Sequence, residues 1–538
     1  MKHHRRTPNA PEANDVHPTG PHLNRRQLLG GALGLGALGM LAACSAPPAT
    51  QFDTSGPPTQ GGTLRVGLAG GSATDSLDAH SPVNSGDTAR VINLYEGLLR
   101  RDDNYELEYR LAESMQVNDD ATEWTLVLRD GITFSDGRPV RPEDVIATVE
   151  RVRDPDDPKN GASMMAVIDT MEVVDERTLI FKLSSPDAEL DDSFSQYQMG
   201  IVPEDYDPSE PIGAGPFTLA EFEPGQITTL VRNENYWDTV AHLDRVELVN
   251  FYEEDAMLNA LLSTQVDAIG QINPALTRVV NADERLQVLN SETGMWLPFT
   301  MRVDTAPFDD VRVRQAMRLA IDREQMVNQV FSGHGQLGND MFAFYDPGYP
   351  DHLEQRQQDI EQAKHLLSEA GYPDGLEVDL VTSEIQAGAV RAAQVLAEQV
   401  QAAGITVNLH QVDTTTFYGD GNYLHYPFSQ SFWYTRNFLA QVDQCATDTA
   451  PFNETHWEGP DFAARVSEAQ ATADNAEREG KIAELQEEFF DRGGYIIWDF
   501  SNQVDAMQKY VMGFDENATG LPLSGYNFQR AWIAEVNT

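Results

Sequence analysis

The chain has 538 residues, 85 of them Asp or Glu against 37 Lys or Arg, for a formal net charge of -48. A field of that sign repels nucleic acid and anionic lipid surfaces, which excludes a nucleic-acid partner. Two cysteines, Cys44 and Cys445, leave little scope for a disulfide framework, so stability must come from a packed core.

The first element is "NRRQLLGGALGLGALGMLAAC", Asn24 to Cys44. Leu28 to Ala43 is too short for a bilayer span, which needs about 20 apolar residues. Gly34 to Gly39 matches the G-x-G-x-x-G pattern, but a dinucleotide site needs a strand before it and a helix after it. Basic residues precede it and a cysteine follows. A basic region, a short apolar run and a small-residue cleavage site together form an export signal. Arg25 and Arg26 followed by Leu28 and Leu29 resemble a twin-arginine signal, with the general secretory route as the alternative. Leu41-Ala42-Ala43-Cys44 resembles a bacterial lipobox, which implies lipidation of Cys44 and cleavage before it. The lipid then tethers a soluble body to the outer face of the membrane. The Pro-, Gly- and Ser-rich stretch 45–62 is expected to be a flexible tether.

Leu64, Val66 and Leu68 alternate with Thr63, Arg65 and Gly67, which predicts a strand. "DTARVINLYEGLL" has helical spacing, with Val91, Leu94, Tyr95 and Leu98 on one face. Trp124, Leu126 and Leu128 share one face of a strand, and "RDGITFSDGRPV" carries two Asp-Gly turn signals. "RPEDVIATVERV" starts a helix at Pro142, with Glu143 and Asp144 at its positive end. "RTLIFKL", "ITTLVRN" and "RVELVNF" predict strands, and "DAMLNALLSTQVDAI" a helix. "DDVRVRQAMRLAIDREQMVNQVF" is expected to be one long helix with Val313, Ala316, Met317, Ala320 and Ile321 on its stripe. "IEQAKHLLSEA" stops at Gly371. "LEVDLVT", a helix from Ala389 and "ITVNLH" form a strand-helix-strand unit with parallel strands. The fold class is therefore α/β, in two or three domains.

These stretches together resemble the extracytoplasmic solute-binding proteins of ABC importers, in the family of dipeptide-, oligopeptide- and nickel-binding proteins (bacterial solute-binding protein family 5). The resemblance runs from about Gly61 to Val511. It rests on "NLYEGLLRRD", "LAESMQVNDDATEWTLVLRDGITFSDGRPVRPEDVIATVERV", "GAGPFTLAEFEPGQITTLVRNENYW", "PFDDVRVRQAMRLAIDREQMV" and "AKHLLSEAGYPDG", in that order. It implies a type II periplasmic-binding-protein fold, with two lobes around a ligand cleft and an extra domain. Lobe I would comprise 63–102, 213–303 and 506–538, the extra domain 103–212 and lobe II 304–505. It also implies an ABC permease with ATPase subunits as partner, a monomeric receptor, a small-molecule or peptide ligand and no cofactor.

No H-E-x-x-H, G-x-S-x-G, P-loop or C-x-x-C occurs, so no catalytic or metal site is expected. "DPDDPKNG" at 154–161 loosely suggests a calcium loop, but its prolines and missing distal Glu favour a solvated turn. The ligand-like stretch is Phe417 to Cys445, where aromatics interleave with Gly, Asn and Ser. The resemblance places a Trp here in peptide-binding relatives, followed within a few residues by an Asp that pairs with the peptide's α-ammonium. Trp433 is followed instead by Tyr434, Thr435 and Arg436; Asp443 is the nearest acidic replacement. Trp433 and Tyr434 are expected to cover an apolar or ring-bearing part of the solute, and Arg436 to meet an anionic group. Asn437, Trp296 and Ser72 complete the expected cleft set. Peptides or peptide-like molecules lead the candidate solutes, with nickel chelates, oligosaccharides and other organic solutes open. A secreted hydrolase is the rival class.

Overall fold

The structure is a computed structural model and describes residues 56–535 except 448, 449, 458 and 460. Arg25, Arg26 and Cys44 lie outside the described residues.

Thr63–Ala69 is the hub of the largest sheet. It pairs in parallel with Arg245–Phe251 on one side and Ala268–Ile269 on the other, in the register Leu64 to Val246 and Val66 to Ala268. Ile227–Arg232 and Phe217–Glu223 extend one edge; Asp499–Gln508 and Leu286–Met295 extend the other. Leu64, Val66 and Leu68 are at most 1% exposed and pack beneath Val91 and Leu94 of helix Ser85–Leu94. This helix ends earlier than its spacing suggests. Tyr95 is extended (φ -117°, ψ 162°), and Leu98 joins the core of the neighbouring sheet. Helix Glu254–Leu262 covers the opposite face through Met257, Leu258 and Leu261.

The second sheet is antiparallel, with strands Ala112–Val117, Glu123–Leu128, Thr178–Leu183 and Ile168–Val173 in that spatial order. Trp124, Leu126 and Leu128 face its core, against helix Pro142–Val152, which carries Pro142 in its first turn. Leu376–Thr382 and Ile405–Gln411 pair in parallel across helix Ala389–Gln399, as the strand-helix-strand spacing predicts.

The long helix expected over 309–331 is two helices, Val311–Leu319 and Arg323–Phe331. The break lies at Asp322, whose carboxylate accepts the Gln325 N–H and caps the second helix. The apolar stripe survives because Val313, Ala316, Met317, Ala320 and Ile321 are all fully buried. Burial, worth about 1.5–3 kcal/mol for each large apolar side chain, does not need an unbroken helix. Among the described residues no helix is long and apolar enough to cross a membrane.

Candidate functional site

A cavity of about 520 Å³ lies where four stretches meet: the chain around helix Ser85–Leu94 and the hairpin after it, the turn at Tyr197, residues 434–436, and residues 517–530. Its size falls within the range of about 300–1000 Å³ usual for small-ligand sites.

Residues 434–436 are positioned by contacts far apart in sequence. Trp296 and Trp433 pair as an isolated antiparallel bridge, each N–H donating to the other's carbonyl at 3.0 Å. Thr435 is then tied down three times. Its hydroxyl donates to the Ala518 carbonyl at 3.0 Å and accepts the Gly294 N–H at 3.0 Å, and its carbonyl accepts the Tyr105 hydroxyl at 3.0 Å. Tyr434 and Arg436 flank this anchor and both line the cavity; Tyr434 is 48% exposed. The Arg436 guanidinium lies 5.7 Å from the centre of the Trp433 ring. Its Nη1 is buried and has no hydrogen-bond partner.

Asp505, itself off the wall, braces it from behind. Its carboxylate accepts the Gln271 N–H at 2.8 Å and the Leu523 N–H at 2.7 Å, tying the wall residue Gln271 to the turn that carries Pro522 and Ser524. Complete burial pushes its pKa up to about 6, against those hydrogen bonds. Leu523, Ser524, Gly525 and Tyr526 all have positive φ, a left-handed turn that costs roughly 1–2 kcal/mol for each non-glycine residue. It is held by the buried side chains of Leu523 and Tyr526, and by Ser524, whose hydroxyl accepts the Asp515 N–H at 2.7 Å and donates to the Asp515 carbonyl at 2.5 Å.

The remaining expected residues do not line the cavity. Trp433 stacks on Trp296 (ring centres 6.2 Å apart), and Trp296, 2% exposed, also stacks on Phe342. Both tryptophans are backing for the wall, because the bridge between them turns their rings into the core. Asn437 is buried at the start of helix Phe438–Cys445. Ser72 is bound locally, its hydroxyl 2.7 Å from that of Thr74 and its N–H donating to Asp75. Asp443 lies within helix Phe438–Cys445, accepts from Gln470 and is also off the wall. Tyr197, 39% exposed on the wall, had no signal in sequence; it sits in a short turn, Tyr197–Met199, without periodicity. Among the described residues no group of His, Cys, Asp and Glu is placed to hold a metal ion.

A mixed α/β scaffold of this topology, with a cavity walled by distant segments, is that of a two-lobed type II solute-binding protein. Residues 106–447 match the model of the bacterial extracellular solute-binding proteins, family 5 (middle region), and the chain belongs to that family. It is 27% identical over 303 residues to heme-binding protein A of Haemophilus influenzae, covering 51% of this chain and 55% of that protein. It is 23% identical over 464 residues to the dipeptide-binding protein of Escherichia coli, covering 79% and 85%. Among solved structures, the periplasmic binding protein AgaA of Agrobacterium tumefaciens in complex with agropinic acid superposes with a TM-score of 0.71 at 25% identity, covering 88% of this chain and 99% of that one.

Proposed function

We propose that this protein is the lipid-anchored receptor of an ABC importer, which captures a small solute, foremost a peptide or peptide-like molecule, and delivers it to a permease and its ATPase subunits. The observation that carries the reading is a cavity wall bearing an accessible ring, Tyr434, beside a guanidinium, Arg436, that pairs with no carboxylate among the described residues. Capture proceeds by closure of lobe I (63–102, 213–303, 506–538) on lobe II (304–505), with the extra domain (103–212) beside them. Such a hinge is driven by the difference in solute affinity between open and closed forms. No covalent step is involved and the receptor acts as a monomer. Relatives bind agropinic acid, a nonapeptide and a nickel-histidine complex, so a nickel chelate, an oligosaccharide or another organic solute is the alternative cargo.

Native mass spectrometry of protein purified without refolding, followed by thermal shifts across a solute panel and hydrolysis assays, tests the reading. A retained small molecule that stabilises the protein and is not turned over is the expected result; turnover would make the protein a secreted hydrolase. For the anchor, Cys44→Ser is expected to move the protein from the membrane to the soluble fraction with its fold intact. Arg25→Lys with Arg26→Lys is expected to block export, and normal export of that double variant would assign the general secretory route.

A further inference from the structure

We propose that the cleft selects a small ring-bearing acid with no ammonium group, and that Tyr197 supplies the second ring of the wall; this rests on the receptor reading above and narrows its cargo.

The charges on the wall carry the first half. Three of its four arginines are already paired: Arg100 with Glu108, Arg101 with Asp192 and Arg530 with Asp103. Arg436 has no such partner among the described residues, and its Nη1 is buried and unsatisfied. Three of the wall's four carboxylates are paired too, Asp103 with Arg530, Glu108 with Arg100 and Glu96 with Arg110. Glu96 accepts from Arg110 at 3.3 Å and from the Tyr236 hydroxyl at 2.5 Å. Asp102, which has no ion pair, has its Oδ1 held by the N–H groups of Asn104 and Glu106 at 2.9 Å each, closing its own hairpin turn. An incoming carboxylate is therefore met by a guanidinium with no ion pair among the described residues, and the attraction strengthens as water is excluded. An incoming ammonium meets only Asp102, whose Oδ1 is already held by two N–H groups of its own turn, and away from it the ammonium is buried unpaired, which is strongly unfavourable.

The rings carry the second half. Tyr197 and Tyr434 come from segments more than 230 residues apart, yet both line one cavity and both are more than a third exposed. Arg436 is close enough to both phenols to oppose the upward pKa shift that burial gives each. An acid seated on Arg436 thus places an attached ring near two aromatic side chains, where ring contacts add to area burial.

The test titrates three probes by calorimetry: N-acetylphenylalanine, phenylalanine and N-acetylphenylalanine amide, against the wild-type protein and against Arg436→Ala, Tyr197→Ala, Tyr197→Phe and Asp102→Asn. N-acetylphenylalanine is expected to bind at least about tenfold more tightly than either other probe. Arg436→Ala should erase the preference for acid over amide, and Tyr197→Ala should weaken binding about tenfold while Tyr197→Phe does not. Phenylalanine binding as tightly as its acetylated form, above all if Asp102→Asn then abolishes it, would overturn the proposal. So would equal binding of acid and amide, or no binding of any probe. A solute retained in the native mass spectrum would in those cases leave the receptor reading standing; its absence as well would remove both.

Discussion

The arginines around Asp340 and the single Arg436 on the cavity wall are treated in opposite ways. Around Asp340, fully buried, Arg323 donates at 2.7 Å and Arg356 at 2.8 Å, while Arg318 lies at 3.9 Å. The surplus positive charge is met by carbonyls beyond helix Asn475–Arg492: Arg318 donates to Gly493 at 2.6 Å and to Tyr495 at 2.8 Å. Burial opposes ionisation of Asp340, but the three guanidiniums outweigh it and hold its pKa below the usual carboxylate value. Arg436 has none of this. A cation saturated by its own chain is scaffold, whereas Arg436, with no ion pair among the described residues, is the one that the proposed receptor reading assigns to the solute.

The largest effect should come from breaking the saturated group. Asp340→Asn leaves three guanidiniums around a neutral amide and is expected to destabilise the fold by about 3–5 kcal/mol, read by denaturant unfolding. Arg436→Ala should do the reverse. Stability stays within about 0.5 kcal/mol of wild type, while affinity for the retained solute falls roughly tenfold to a thousandfold, read by calorimetry.

A third site sharpens the contrast, because it is a buried carboxyl group met only by neutral hydrogen-bond partners. Glu454 accepts the Ser431 hydroxyl at 2.7 Å and the Tyr495 hydroxyl at 2.5 Å, and burial outweighs both, pushing its pKa from 4.5 up to about 7. A raised folded-state pKa means that its contribution to stability is complete below pH 4.5 and is lost as pH rises through about 7. Glu454→Gln is therefore expected to flatten the melting temperature between those limits, by a few degrees at most. Smallest of all, Ser72→Ala should leave affinity within about twofold, since the Ser72 hydroxyl is already bonded to Thr74 off the cavity wall.

The scaffold was legible in sequence where its signals were local. Pro142, the alternation of Leu64, Val66 and Leu68, and the glycine stop at Gly371 are decided by near neighbours, and the elements formed as read. The break at Asp322 escaped because the apolar stripe runs through it unbroken while a single cap ends the helix. In the site, Tyr434 and Arg436 reached the wall, but Trp433 and Trp296 did not. An aromatic-rich segment announces burial, and only the bridge between residues 296 and 433 decides which rings face inward. Tyr197 depended on a turn whose place against residues 434–436 no local pattern encodes.

The left-handed turn at 523–526 has one more effect. Its unfavourable backbone is held by Asp505, Asp515 and two fully packed side chains, none of which needs a solute to be present. This side of the cavity therefore keeps its shape when empty. The entropy of ordering this turn falls on folding, so under the proposed receptor reading that part of the ordering cost is already met before a solute arrives.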